Sequence, residues 1–102
     1  MGVAMVDVKA TFAKFGDEYN EFHRIESPPF RRPDLCAFVL LETLAPEEDA
    51  GMDMVSAARH DHIWLQTDIE KLSANATEED IRTLARCGVR YDAEYDCLTM
   101  FV

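Results

Sequence analysis

The stretch SPPFRRP, residues 27–33, limits what this 102-residue chain can fold into more than any other. Pro28, Pro29 and Pro33 remove three backbone donors and push the residues before them towards extended geometry, so neither a helix nor a central strand runs through them. The chain is therefore read in two parts: an N-terminal segment, residues 1–26, and a longer core, residues 34–102. A chain of this length suits one domain, large enough for a real core and too small for that core to divide.

Ahead of the prolines, Val8, Phe12, Phe15, Tyr19 and Phe22 recur at a 4,3,4,3 spacing, which puts all five on one stripe of an amphipathic helix predicted over residues 6–23. Gly16 weakens that helix by about 1 kcal/mol relative to Ala, less than four buried aromatics contribute. The stripe reads as core, with a homodimer seam through this helix as its other use.

Behind the prolines, PDLCAFVLLETLAP predicts a helix capped by Asp34 and stopped by Pro46. Leu35, Phe38, Val39, Leu41 and Leu44 leave it one narrow polar side, which makes it central and mostly buried. A buried strand over residues 36–42 is the competing reading, because short apolar runs do not separate the two by period. Residues 47–53 form an acidic loop. HDHIWLQT, residues 60–67, alternates as a strand, with Ile63 and Leu65 on one face and His60, His62 and Trp64 on the other. Asp68 opens a short helix. Thr77 caps the next, with Asp80 placed for a capping box, Ile81, Leu84 and Ala85 facing inward and Gly88 as the stop. Residues 89–102 predict a hairpin turning around Asp92 to Asp96. The result is a small α+β domain whose order over residues 34–102 (helix, strand, helix, helix, strand, strand) is winged-helix-like, with an additional helix in front.

That order raises the question of whether the Thr77–Cys87 helix reads nucleic acid, and charge answers it. Twenty Asp and Glu stand against ten Lys and Arg, a net charge of −10 shared equally by residues 1–59 and 60–102. Nucleic-acid affinity comes largely from cations that release condensed counterions. Here the first turn of the helix would bring Glu78, Glu79 and Asp80 to a phosphate wall, and the wing would add Asp92, Glu94 and Asp96. Carboxylates at a helix start are also favoured by the macrodipole without any partner. The sequence points to a non-enzymatic acidic interaction domain that binds a protein with a basic surface, in its most concrete form an inhibitor that mimics nucleic acid. The residues assigned to that surface are Glu47, Glu48, Asp49, Glu78, Glu79, Asp92, Glu94 and Asp96. The alternative is a winged-helix DNA-binding regulator that uses Arg82, Arg86 and Arg90. The one basic island, His23, Arg24, Arg31 and Arg32, is read as paired with the protein's own acids, against a contact for an external carboxylate or phosphate.

Catalysis finds little support. His60 and His62 make an H-x-H pair that a strand would project to one side, but no third ligand accompanies them, whereas catalytic zinc takes three. A metal-dependent enzyme using them is a further alternative; no metal, cofactor or catalytic residue is expected. Cys36, Cys87 and Cys97 show no C-x-x-C spacing and suit a reducing compartment. No G-x-S-x-G stretch occurs, and glycines at 2, 16, 51 and 88 cannot build a phosphate-cradling loop. No apolar run approaches the roughly 18 residues a membrane helix needs, so a cytoplasmic protein is expected.

Overall fold

A computed structural model describes residues 5–48, 51 and 53–101. Four helices and one four-stranded antiparallel sheet make an α+β domain: α1 (Val8–Lys14), α2 (Pro33–Leu44), β1 (Val55–Arg59), β2 (His62–Leu65), α3 (Ile69–Asn75), α4 (Glu78–Arg86), β3 (Val89–Asp92) and β4 (Cys97–Phe101). The strands lie in the order β1-β2-β4-β3. From α2 onward this is the expected winged-helix-like order with one strand added, β1, which pairs with β2.

Local chemistry explains the best-placed boundaries. Asp68 accepts from the amides of Glu70 and Lys71 and starts α3. Thr77 accepts from the Asp80 amide at 3.1 Å, and the Asp80 carboxylate accepts from the Thr77 amide at 2.9 Å, which closes the capping box. Gly88 takes a φ of 96°, a left-handed turn that lets the chain leave α4 and enter β3 at once. A Cβ there would meet the side chain of Asn20 at 3.2 Å.

Alternation fixes the sheet. Ile63, Leu65, Leu98, Met100 and Val89 face a core completed by Leu41, Leu72, Ile81, Leu84 and Ala85 from the helices. The hairpin therefore turns Leu98 and Met100 inward and leaves Cys97 and Phe101 on the outer side.

Four expectations need correction. The N-terminal helix over residues 6–23 stops at Lys14; two 3-10 turns, Gly16–Glu18 and Phe22–Arg24, follow it, and Asn20 adopts a φ of 62°. The aromatic side chains still reach the core, with Phe12 buried and Phe15 and Phe22 packed against it. Second, α2 begins at Pro33, with Arg32 rather than Asp34 at its cap. It is a helix, not the alternative strand, but it is not central. Cys36, Ala37 and Leu41 are buried, whereas Leu35 and Val39 are 40% and 42% exposed. Third, Val55–Arg59 form a strand, β1, that the sequence does not signal, because Ser-Ala-Ala lacks the β-branched alternation that marks one. Fourth, the strand predicted over residues 60–67 spans only His62–Leu65, since His60, at a φ of 55°, belongs to the turn that joins β1 to β2.

Candidate protein-interaction surface

The helix that would read DNA in a winged helix-turn-helix carries its cations inward. Glu18, in the first 3-10 turn and only 7% exposed, is the reason. Its carboxylate accepts from Arg82 Nε at 2.9 and 3.1 Å and from Arg86 Nε at 2.8 Å, and the Arg86 Nη2 atom lies 2.6 Å away. Arg24 closes the cluster from the other side, 2.7 Å from Glu21 and 3.9 Å from Glu18. The Arg82 hydrogen bond, joined by that of Arg86, holds the Glu18 carboxyl below the usual carboxylate range against the opposing effect of its own desolvation. The break in the N-terminal helix is what delivers this carboxylate, and the Asn20 amide, bonded to the Ala85 carbonyl, fastens the same segment to α4.

The anions of α4 point the other way. The Glu78 and Glu79 side chains are 57% and 69% exposed; among the described residues Glu78 pairs with Lys14 at 2.5 Å and Glu79 with the Arg82 Nη1 atom at 3.6 Å. Arg90, the third arginine of the DNA-reading alternative, lies over the rings of Tyr19 and Phe101. Arginines on this helix and strand are thus engaged within the chain, and carboxylates mark its solvent side.

The assigned acids fall in three places. Glu47 and Glu48 follow α2, where Glu48 pairs with Lys71 at 3.6 Å; Asp49 lies outside the described residues. Glu78 and Glu79 open α4. Asp92, Glu94 and Asp96 form the β3–β4 turn, where Asp92 also has a structural task. It accepts from Trp64 Nε1 at 3.0 Å and from the amides of Glu94 and Tyr95, and the Trp64 bond leads the effects that hold its carboxyl below the usual range. Asp96 accepts from the Tyr91 hydroxyl. It also lines a shallow groove with Asp7, Glu70 and the cation Lys9, so the hairpin acids share a groove with two acids that sequence spacing did not associate with them.

Sequence reading missed the outer face of the sheet. His62 stacks on Trp64 with ring centroids 4.5 Å apart and meets Phe101 at 4.8 Å, while Tyr95 stands edge-on to Trp64. Arg59 and Arg90 flank these rings from the two outer strands. Alternation within residues 62–65 placed His62 and Trp64 together; Phe101 and Arg90 join them only through the strand order.

The basic island is divided as well. Arg24 pairs internally, but neither Arg31 nor Arg32 makes an ion pair among the described residues. His60 and His62 do not share a strand face, since the first sits in a turn; the second hydrogen-bonds Thr99. Among the described residues no group of three or more His, Cys, Asp or Glu is arranged to hold a metal ion. Burial, with Cys36 beside it, pushes the Cys87 thiol up to about 12, well away from nucleophilic reactivity. No helix among the described residues is long and apolar enough to cross a membrane. No protein-family model matches the chain, and no curated protein or solved structure matches it either.

Proposed function

We propose that this chain is a non-enzymatic interaction domain that engages a protein with a basic surface, in the manner of an inhibitor presenting carboxylates where a nucleic-acid-binding protein expects phosphates. The contact is made by Glu78 and Glu79 at the start of α4 and by Asp92, Glu94 and Asp96 in the β3–β4 turn, with Glu47 and Glu48 at its margin. One observation carries this reading: Arg82 and Arg86 are turned onto the buried Glu18 while Glu78 and Glu79 stay exposed. The helix end that a DNA reader would present as cationic is anionic instead, and phosphate contacts have no counterpart there. A reducing cytoplasm suits the three free thiols.

The test is capture of binding partners on immobilised protein at about 50 mM and about 500 mM salt, since exposed charge contacts weaken as the Debye length shrinks. Partners held at low salt, lost at high salt and lost on Glu78→Gln/Glu79→Gln/Glu94→Gln are the expected result. Those positions are exposed, none of the three side chains caps a helix or touches Glu18, and only Glu79 reaches the cluster, at the Arg82 guanidinium 3.6 Å away. Retention of random-sequence duplex DNA in a gel shift at about 100 mM salt would reverse the assignment.

A further inference from the structure

The sheet has two edges, and the chain treats them differently. β3 is covered: α1 packs along it, and Tyr19 lies under the Arg90 guanidinium. Among the described residues β1 packs closely on β2 alone, and Ser56, Ala57, Ala58 and Arg59 are all exposed. An open edge presents every second N–H and C=O as a template for another strand, and proteins commonly blunt such edges with lysine, proline or inward-pointing charge. Residues 56–58 carry none of these three, and the bulge between Val55 and Ala57 is the one blunting device on this edge among the described residues. Ser56 donates its hydroxyl to the Trp64 carbonyl and sits at a bulge, and two alanines follow. A groove of about 640 Å³ lies alongside, lined by Ser56 to Arg59 and walled by Trp64, Tyr95 and Asp96.

Register states what an added strand must bring. Arg59 is opposite His62 and Ala57 opposite Trp64, so both share the outer face with those rings. On that face an incoming strand offers one side chain every second residue. One of these falls beside Arg59, which has no carboxylate partner among the described residues. The next falls over Ala57, whose methyl group leaves the flank of Trp64 open. Asp96 at the other end of the groove repels a second anion and gives the groove a polarity.

We propose that β1 is a docking edge for an extended peptide in which a carboxylate residue stands two positions from an aromatic or large aliphatic one. The backbone of the peptide continues the sheet, its carboxylate meets Arg59, and its apolar side chain covers Ala57 against Trp64 and Tyr95. Recognition of this kind takes affinity from main-chain bonds and selectivity from alternate side chains. It relies on an arginine and an open edge, not on the acidic surface, so either reading stands if the other fails.

The experiment uses the full chain and fluorescein-labelled eight-residue peptides, Thr-rich, with Glu and Phe two positions apart. Binding is read by anisotropy and by the emission of Trp64, the single tryptophan of the chain. Saturable binding with a change in Trp64 emission is expected. It should weaken by about tenfold or more, the loss of roughly one charge-assisted contact, when Glu is replaced by Lys. Similar losses are expected when Glu and Phe are made adjacent, which sends them to opposite faces, and when the central amides are N-methylated. The Arg59→Glu variant, altered at an exposed position, should prefer the Lys peptide. Absence of binding up to about 1 mM, the weak limit of specific recognition, would overturn the proposal. So would affinity indifferent to spacing, N-methylation and Arg59→Glu. Sedimentation showing a dimer that Arg59→Glu dissociates would also overturn it, by giving the edge to a second copy.

Discussion

Glu18 decides the course of the N-terminal segment. A carboxylate this enclosed is stable only if its charge is matched and its lone pairs are filled, and Arg82 and Arg86 do both. Removing the charge leaves two guanidinium groups facing each other around an amide. Glu18→Gln should therefore lower the melting temperature at pH 7 more than Glu94→Gln, a change at an exposed turn position. The pH dependence has a definite sign. The native carboxyl titrates below its unfolded counterpart, so its contribution is complete above the ordinary carboxylate value of about 4.3 and disappears as pH falls from there through the lower native value. Thermal melts followed by circular dichroism from pH 7 down to about pH 3 should show the gap between the wild type and Glu18→Gln narrowing below about pH 4. A gap that stays constant would mean that shape, not charge, holds the segment in place.

At the scale of elements, α4 is built from its own sequence and the N-terminal segment is not. Thr77 and Asp80 satisfy each other's amides, so Thr77→Ala should cost about 1 kcal/mol, measured as a lower urea midpoint with an unchanged slope. A cost near zero would show that packing of Ile81, Leu84 and Ala85 fixes the helix start without the cap. Features of this local kind were legible: the capping box, the Gly88 exit and the alternation of residues 62–65 all depend on neighbours a few positions apart. The break after Lys14 was announced only by Gly16, because the bonds that hold the segment beyond it join Glu18 to arginines more than sixty positions later. The exposure of Leu35 and Val39 on α2 escaped the sequence for a related reason: an apolar helix shows no preferred side until its neighbours are known. β1 was hidden twice over, by side chains with weak strand preference and by a turn that places His60 at a positive φ without glycine or asparagine to announce it. Seven of the eight assigned acids lie among the described residues, and their division among three places, like the addition of Asp7 and Glu70 beside the hairpin group, required the fold.

For the molecule as a whole, two electrostatic effects oppose each other and salt separates them. The net charge of −10 repels itself across a body 43 × 33 × 27 Å in extent. Surface pairs such as Lys14–Glu78 and Lys71–Glu48 attract, but their partners are substantially exposed, and pairs of that kind contribute about 0–1 kcal/mol each. The Glu18 cluster is enclosed and only weakly screened. Raising salt from about 10 to about 200 mM shortens the Debye length from about 30 Å to under 10 Å, below every dimension of the molecule. Repulsion between distant carboxylates is then removed while the buried cluster keeps its attraction. The melting temperature should rise over this range, and Glu94→Gln, which removes from the hairpin an anion with no ion pair among the described residues, should be more stable than the wild type at low salt and indistinguishable from it at high salt. A melting temperature that falls with salt would mean that attraction among exposed pairs outweighs repulsion. Carboxylates neutralised in that way have little free charge left for a basic partner, so the same measurement bears on the proposed binding surface.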